Sequence, residues 1–410
     1  AAYLAKAPAN VVSIDLPHVP PKELGPPEVY TKAAETLRAM LEDGTLTRRE
    51  KPAIFAYRQT FTVEDKTYQR TGVACTVDTV PFGPREGGGI LPHEQTFSGP
   101  KEDRKALMEA TQAQLSPIFG LHPDDNGVAT KIVSSVCASR DPDMTADLGD
   151  GVRHEVWTIE DDATINAYRD ALAGEDIFIA DGHHRYTTAL NYLNSLGDIP
   201  QDHPARRTMF VLVSMSDPGL YIGPTHRVLG GMSKYDIDAF QEAAQGILDI
   251  EPCENDPHRF HHEISQIASK GIDNVIGVMD FATGLCFCGY PATPDPLEDR
   301  FPDKSKAWRT LDVSIIQHLI VEEICQPLLN EGNPVTWAFP HSIDELLAIG
   351  RGAETGAGGG GAGFAQLALV VRPTPLEAVR AVSRANELMP QKSTFFYPKL
   401  ATGLFINPLS

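Results

Sequence analysis

The stretch "FIADGHHRYTTAL", residues 178–190, joins the pattern of a buried strand to the pattern of a helix. The run at 177–180 is wholly apolar, as expected of a strand covered on both faces. Four largely apolar residues then recur at helical spacing, and they are Tyr186, Ala189, Leu190 and Leu193. Asp181 follows the strand where an N-cap is expected, and Asp is a favoured N-cap. The sequence therefore predicts a strand, a tight turn and a helix start.

The predicted turn has the chemistry of an anion site. The first amides of a helix have no partner within the helix, and the helix dipole adds positive charge there. Gly182 lets a ligand approach the backbone closely, and Arg185 supplies a planar fork that suits phosphate. His183 and His184 can donate to phosphate oxygens or transfer protons. We predict phosphate binding by Gly182 and Arg185 and catalytic roles for Asp181, His183 and His184. The alternative is a capped helix whose polar residues face solvent.

The composition narrows the class of partner. The 410 residues include 35 Lys and Arg against 55 Asp and Glu, which gives a formal charge of −20. A chain this acidic repels nucleic acid phosphates at long range, so we expect no nucleic acid partner, although a local basic pocket can bind a small anion. No apolar run approaches the roughly 20 residues that cross a bilayer, and no signal peptide pattern is seen. We expect no membrane partner and a cytoplasmic location, and the oligomeric state stays open.

Helix and strand patterns follow one another without a regular strand–helix–strand rhythm. Residues 28–41 and 312–324 have helical spacing. Two stretches, at 53–63 and 67–77, alternate with period two and predict a β-hairpin, and a loop rich in Gly and Pro follows at 81–100. This mixture predicts the α+β class.

We expect three regions along the chain. The first region contains a His-Glu loop and spans residues 1–125. The core carries the turn described above and spans residues 126–230. The last region returns to the site and spans residues 231–410. Cys286 and Cys288 alternate within an apolar run, which favours one face of a strand over a metal site or a disulfide.

The stretch "PHEQT" in the first loop offers a candidate base. Transfer of a phosphoryl group to a hydroxyl needs a group that positions or deprotonates the acceptor, and Glu94 is the candidate. His93 beside it and Arg104, at the start of the next helix, are candidates for binding substrate. The alternatives are a loop held by its own side chains and a surface salt bridge of Arg104.

Two later stretches add polar groups. "GPTHRVL" contains Thr225, His226 and Arg227, and we predict that these residues bind nucleotide or phosphate. The segment "MPQKSTFFYPK" is too apolar to remain a solvated tail, so we expect it to fold back onto the turn. Its candidates for nucleotide or phosphate binding are Lys392, Ser393 and Thr394, and its candidate for substrate binding is Lys399.

Several stretches resemble the family called domain of unknown function 1015. They are "IADGHHRYTTAL", "ILPHEQT" followed by "KEDR", "PTHRVL", "LDVSIIQHLI" and "MPQKSTFFYPKLATGL". The resemblance covers nearly the whole chain and indicates membership. The family is largely uncharacterised, so membership by itself implies little about activity.

The turn also resembles the Gly-x-His-Arg turn of the ParB/sulfiredoxin-like superfamily. This resemblance implies a nucleotide-binding core with additional mixed α/β elements. The superfamily includes ATP-dependent sulfiredoxins, CTP-binding partition proteins and free-serine kinases, which hold nucleotide phosphates at such a helix start. Sulfiredoxins carry a nucleophilic Cys where this chain has His183, and partition proteins carry a Glu-Arg-Arg version and a DNA-binding module that this sequence lacks. Asp181 before Gly182 is most similar to the kinase-like branch.

The leading hypothesis is a nucleotide-dependent phosphotransferase that acts on a small hydroxyl compound, such as the amino acid serine, with ATP or ADP as the nucleotide. Asp181 would hold Mg²⁺ or the hydroxyl, because Mg²⁺ prefers carboxylate and phosphate oxygens. One alternative is a metal-dependent hydrolase with His93, Glu94, Asp181 and His183 as ligands, although no HExxH spacing supports it. Another is a non-enzymatic, nucleotide-gated binding protein, which nucleotide turnover would distinguish from a kinase.

Overall fold

A computed structural model describes residues 9–18, 23–95, 99–269, 274–353, 361 and 363–410. The predicted loop at 81–100 includes residues 96–98, which lie outside the described residues. The chain forms two compact units, Ala1–Tyr221 with Pro398–Ser410 and Ile222–Tyr397. The division into three regions stays a prediction. The α+β class is confirmed by helices and largely antiparallel sheets in both units.

The described residues of the first unit form six α-helices. They are α1 Val12–Asp15, α2 Pro27–Glu42, α3 Gly99–Thr111, α4 Val128–Ser139, α5 Asp162–Ala171 and α6 His183–Ser195, with a short 3₁₀ helix at Pro204–Arg206. The helix predicted at 28–41 is confirmed as α2, which begins with Pro27 in the first turn, where the missing N–H of Pro costs nothing.

The strands up to residue 214 belong to the first unit. They are β1 Ile54–Val63, β2 Lys66–Asp78, β3 Ile90–Leu91, β4 Ala113–Gln114, β5 Ile118–His122, β6 Met144–Asp147, β7 Arg153–Ile159, β8 Ile177–Asp181 and β9 Arg207–Ser214. Except for β4, they form one eight-stranded sheet in the order β3-β8-β5-β9-β2-β1-β7-β6. The predicted β-hairpin is confirmed as β1 and β2, which pair from Phe55 opposite Ala74 to Val63 opposite Lys66.

The pleat of β1 and β2 separates two sets of side chains. Partners across an antiparallel pair point to the same face of a sheet, and neighbours along a strand point to opposite faces. Gln59 and its partner Arg70 therefore share one face, and Arg58 and its partner Thr71 share the other. Helices α4 and α5 cover the face of Arg58, where Trp157 lies in a buried cluster.

The second unit begins within the next strand and has its own sheet. Its strands are β10 Tyr221–Gly223, β11 Arg227–Gly230, β12 Leu248–Pro252, β13 Ile276–Asp280, β14 Cys286–Pro291, β15 Thr336–Ala338, β16 Ala365–Val370 and β17 Phe395–Tyr397. Six of them form a sheet in the order β12-β14-β13-β16-β11-β15, and β10 pairs with β17.

The described helices of the second unit pack around this sheet. They are α7 Ile237–Ala243, α8 Pro257–Ser269, α9 Lys306–Arg309, α10 Asp312–Ile315, α11 Ile343–Gly350 and α12 Leu376–Arg384. The helix predicted at 312–324 is present, but only α10 is α-helical, and a π-helix continues it over Ile316–Cys325. No helix among the described residues is both long enough and apolar enough to cross a membrane.

The cysteine prediction is half correct. Cys286 and Cys288 do lie on a strand, β14, but Cys288 forms a disulfide with Cys253. Cys253 directly follows β12, which pairs with β14, and the two Cα atoms are 5.8 Å apart, a separation typical of disulfides. The two cysteines are 35 residues apart in sequence, so the pair was not evident until the pairing of β12 with β14 was known.

The chain ends in the first unit. Strand β18, Asn407–Pro408, pairs with β4, with Asn407 opposite Gln114. The Leu409 amide also donates to the Gln112 carbonyl at 2.8 Å. Residues 398–410 are therefore held by hydrogen bonds to elements near residue 113.

Candidate functional site

The turn between β8 and α6 has the strand–turn–helix geometry that the sequence predicts. Gly182 is the N-cap of α6 at a φ of 104°, a conformation that strains residues with side chains. A Cβ on Gly182 would also lie 3.1 Å from the Arg185 guanidinium. Asp181 closes β8 and does not cap the helix, so the prediction that Asp181 is the N-cap is wrong. Its carboxylate is instead engaged by cations.

Asp181 binds two cations. Its Oδ2 accepts a hydrogen bond from Arg185 Nη2 at 2.7 Å, and its Oδ1 accepts one from Lys399 Nζ at 3.0 Å. Burial raises the pKa of the Asp181 carboxyl, but Lys399 and Arg185 outweigh it and hold the pKa at about 2. The side chain is 34% exposed. Asp181 is therefore an ionised carboxylate at neutral pH that a ligand can reach.

Arg185 joins the helix to the neighbouring strand. Its Nη2 holds Asp181, and its Nη1 donates to the carbonyl of Pro117, just before β5. The first hydrogen bond within α6 runs from the Tyr186 amide to the Gly182 carbonyl. Amides ahead of Tyr186 therefore make no bond within the helix, and they add to the positive end of its dipole.

His93 and His183 form a buried pair. The His93 amide donates to His183 Nε2 at 3.3 Å, and the two rings meet edge to face with centroids 4.7 Å apart. Burial lowers the pKa of His93 to about 4 and holds the pKa of His183 well below its usual value. Both rings are neutral at pH 7. Because Nε2 of His183 accepts a hydrogen bond, its proton is on Nδ1.

The loop after β3 brings Glu94 to the same edge of the sheet as the β8–α6 turn. Strand β3 runs parallel to β8, with Leu91 opposite Phe178, and the chain then places His93 against His183. Glu94 is the next residue and is half-buried, as is His184 in the first turn of α6. The catalytic roles of Glu94, Asp181, His183 and His184 stay predictions.

Two buried polar side chains hold the backbone that carries Lys399. Gln59 Nε2 donates to the Lys399 carbonyl at 3.0 Å, and Arg70 Nη2 donates to the Pro398 carbonyl at 2.6 Å. Arg70 also donates to Gln59 Oε1, and its guanidinium lies 4.5 Å from the ring centre of Phe119. Gln59 and Arg70 are each 1% exposed. They fix the main chain from which Lys399 reaches Asp181.

Sequence reasoning missed Gln59 and Arg70, although a signal for Gln59 was present. In a strand that alternates with period two, Gln59 lies between Tyr57 and Phe61 on the apolar face. A polar residue at such a position is buried, and a buried amide needs partners. Arg70 becomes visible only once the hairpin register places it opposite Gln59.

Arg104 belongs to a separate network. Its Nη1 donates to the Asp15 carbonyl at 2.6 Å, and its Nη2 donates to Asp103 Oδ2 at 2.7 Å. The Tyr30 hydroxyl donates to Asp103 at 2.9 Å, and His18 also contacts this carboxylate. Arg104 thus ties α3 to α1, and Asp103 ties α3 to α2 through Tyr30. Its role in substrate binding stays a prediction, as does that of His93.

The second unit gathers several of the other predicted residues. Arg227 Nη1 donates to the Thr225 carbonyl, and its Nη2 donates to the Lys392 carbonyl at 2.9 Å. His226 is fully buried, and its Nδ1 accepts a hydrogen bond from the Val371 amide at 3.2 Å. Arg227 therefore connects the "PTHRVL" stretch to the "MPQKST" stretch.

Ser393 in that segment contacts both its own turn and Thr374. Ser393 is buried, its hydroxyl donates to the Pro390 carbonyl, and its carbonyl accepts from Thr374 at 2.6 Å. Thr394 follows and is half-buried. The predicted nucleotide or phosphate contacts of Thr225, His226, Arg227, Lys392, Ser393 and Thr394 stay predictions.

The turn fits Mg²⁺ poorly in this arrangement. Mg²⁺ needs carboxylate oxygens, but Arg185 and Lys399 engage both oxygens of Asp181. In the described part of the chain, the one group of three or more His, Cys, Asp and Glu donors that lie within 4.8 Å of one another is Cys253, Glu263 and Cys288. The metal-dependent hydrolase with His93, Glu94, Asp181 and His183 as ligands stays an alternative prediction.

A family model described as "Protein of unknown function (DUF1015)" matches residues 1–314. No curated protein matches the chain.

Three solved structures illustrate the similarity to known proteins. A free serine kinase in complex with AMP is 11% identical with a TM-score of 0.36, over 81% of this chain and 92% of that one. "SbnI with C-terminal truncation from Staphylococcus aureus" is 13% identical with a TM-score of 0.37, over 82% and 87%. A conserved hypothetical protein from Pyrococcus furiosus is 14% identical with a TM-score of 0.34, over 79% and 96%. These likenesses are too distant to assign an activity.

Proposed function

Since this chain belongs to the DUF1015 family of proteins of unknown function, we propose its activity from its own geometry: a nucleotide-dependent phosphotransferase that acts on a small hydroxyl compound. The observation that carries the proposal is the convergence of Arg185 and Lys399 on Asp181 at the start of α6. Two cations against one carboxylate leave a local positive charge, and the helix dipole adds to it. This supports an anion site in a chain of net charge −20.

The proposed ligand of this anion site is the phosphate chain of ATP or ADP. Arg185 offers a planar donor fork, and Lys399 offers a point charge; their side chains are 29% and 49% exposed. Gly182 has no side chain between the helix start and a bound phosphate. The helix start with these two cations is the arrangement that proteins use for phosphate.

The proposed reaction transfers the terminal phosphoryl group to a hydroxyl. The acceptor oxygen bonds to the terminal phosphorus while the bond from that phosphorus to the bridging oxygen breaks. Glu94 takes the acceptor proton, because Asp181, with its pKa held at about 2, is a weak base. Arg185 and Lys399 stabilise the charge on the phosphoryl oxygens, and the neutral His183 can donate to them.

The acceptor is a small hydroxyl compound, and an amino acid such as serine is one example of this class. Mg²⁺ stays a prediction, and no step above runs through it. Asp181 orients the two cations and can accept a hydrogen bond from the acceptor hydroxyl.

Arg185→Ala and Lys399→Ala test the proposal. Each variant should bind ATP and ADP more weakly by about 1.5–3 kcal/mol, the range for hydrogen bonds to charged groups, as measured by titration calorimetry. Asp181→Asn should lower turnover, and it should also lower the free energy of unfolding, since the amide loses the charge that pairs with Arg185 and Lys399. Arg169→Ala and Lys32→Ala are matched controls at exposed positions and should bind as wild type does.

Binding of ATP and ADP by Arg185→Ala and Lys399→Ala at wild-type affinity would overturn the phosphate site. Nucleotide binding without phosphoryl transfer to any hydroxyl compound would leave the nucleotide-gated binding protein as the function.

A further inference from the structure

A cavity lies in the first unit, on the face of the eight-stranded sheet opposite to Gln59 and Arg70. It has a volume of about 210 Å³, and its lining includes Arg58 and Thr71 of the hairpin. The pleat points Arg58 away from its neighbour Gln59, so this cavity is separated by the sheet from the residues that hold Lys399. Helix α4 forms another wall.

Two opposite charges flank Thr71 in this cavity. Arg58 Nε donates to the Thr71 hydroxyl at 3.4 Å, and the Thr71 amide donates to Asp217 Oδ2 at 3.2 Å. The Gly219 amide donates to the other oxygen, Oδ1, at 2.8 Å. One residue thus separates a guanidinium from a carboxylate, and both side chains line the same space.

Asp217 can accept further hydrogen bonds. A carboxylate offers about four acceptor positions, and Thr71 and Gly219 account for two of them. Burial raises the pKa of the Asp217 carboxyl, because water solvates its charge poorly, against the opposing effects of the two backbone amides and of Arg70 and Arg58. A cation placed against Asp217 would replace that lost solvation.

His122 adds an acceptor to the same wall. It is 2% exposed, and burial lowers its pKa, so the ring is neutral at pH 7. Because Nδ1 lies 2.8 Å from the carbonyl of Pro123, it carries the proton, which leaves a lone pair on Nε2. Tyr168 and Ser214, whose side chains carry hydroxyls, also line the cavity. The wall therefore offers acceptors for an ammonium group and donors for a carboxylate.

We propose that this cavity binds a small zwitterion of the free amino acid class, with the ligand carboxylate at Arg58 and the ligand ammonium at Asp217. The volume of about 210 Å³ supports this size, since a cavity of roughly 150 Å³ holds a molecule as large as benzene. The guanidinium of Arg58 lies 4.9 Å from the ring centre of Trp157, which holds its fork in place.

The experiment titrates the full chain with each of the proteinogenic L-amino acids and measures the thermal midpoint and the heat of binding. At least one amino acid should bind and raise the midpoint. Its N-acetyl derivative and its carboxamide should each bind at least tenfold more weakly, because the site needs both charges. Binding that is unaffected by either modification, or no binding by any amino acid, overturns the proposal.

Variants locate the binding. Arg58→Met keeps the aliphatic stem, and Asp217→Asn keeps an acceptor for the backbone amides, so each should lower affinity at least tenfold. Arg169→Met and Asp170→Asn make the same changes in an exposed ion pair and should bind as wild type does. Wild-type affinity in both cavity variants overturns the proposal.

A variant that blocks the opening of the cavity tests the proposal even if the charge variants fail to fold. Ser134 lies on the exposed surface of α4 and lines the cavity, so Ser134→Phe should close it at little cost to the core. Ser135→Phe places the same ring on the exposed neighbour and is the matched control. Loss of binding in the first variant alone supports the cavity, and equal binding in both refutes it.

Discussion

His93 illustrates how burial sets the properties of one residue at the site. Its side chain is fully buried and meets His183 edge to face, so a charge on either ring would be poorly solvated and would repel the other. Asp181, at the end of the neighbouring strand β8, shows the opposite outcome, because Lys399 and Arg185 stabilise its negative charge. Burial thus keeps His93 neutral, whereas two cations keep Asp181 charged.

The pH dependence of stability should reveal His93. Its pKa is about 4 in the folded chain against an ordinary value of 6.5. Between these pH values the unfolded chain binds a proton at His93 that the folded chain does not. The stabilising contribution of the neutral His93 is therefore fully present above pH 6.5. As the pH drops from 6.5 toward 4, the free energy of unfolding falls by about 1.4 kcal/mol per pH unit for such a group.

His93→Gln should flatten this dependence in urea titrations at a series of pH values. His262→Gln, at an exposed position of α8, is the control and should keep the wild-type slope. If the slopes of His93→Gln and wild type are parallel between pH 6.5 and pH 4, His93 does not stay neutral in the folded chain.

At the scale of an element, the β1–β2 hairpin links the sheet to the site. Burial lowers the pKa of Arg70 to about 10, so the guanidinium stays charged at neutral pH and needs its partners. Those partners are Gln59 and the Pro398 carbonyl. The hairpin thereby fixes the main chain of residues 398–399 through two side chains that share one face.

Gln59→Glu should weaken nucleotide binding about fivefold through Lys399. The substituted carboxylate still accepts from Arg70, but it cannot donate to the Lys399 carbonyl, and the loss of one buried hydrogen bond is about 1 kcal/mol. Gln69→Glu makes the same change on an exposed position of β2 and should leave affinity unchanged. Calorimetry with ADP compares the two. Equal affinities would show that Gln59 does not position Lys399.

The elements that the sequence predicts correctly are those set by local patterns. The β8–α6 turn and the β1–β2 hairpin follow from residue periodicity within about a dozen positions. The contact of Lys399 with Asp181 spans 218 positions, and no periodicity reports such a separation. Arg185 with Pro117 and Cys253 with Cys288 are likewise decided by which strands become neighbours. Sheet order therefore determines the part of the site that the sequence could not reveal.

At the scale of the whole molecule, the chain leaves the first unit and returns to it. Residues 222–397 form the second unit, and residues 398–410 complete the first. In the returning segment, Lys399 binds Asp181, the Ala401 amide donates to the Tyr57 hydroxyl, and strand β18 pairs with strand β4. The first unit is therefore incomplete without a segment that is remote in sequence.

A chain that stops after Tyr397 should retain its second unit and lose order in the first. Strand β4 loses its β18 partner, and the buried Arg70 loses the Pro398 carbonyl. Hydrogen exchange with mass spectrometry should show faster exchange in β1, β2 and β4. The six-stranded sheet of the second unit is the internal control and should exchange as in the full chain. Unchanged protection of β1, β2 and β4 would contradict this expectation.

The return of the chain also determines when the anion site can form during translation. Asp181 is translated 218 residues before Lys399, and ribosomes add roughly 5–20 residues per second. For about 10–40 seconds the nascent chain therefore carries Asp181 and Arg185 without the lysine that completes the cluster. During that time the growing polypeptide cannot form the full anion site, and it acquires the site only after the entire second unit has been translated.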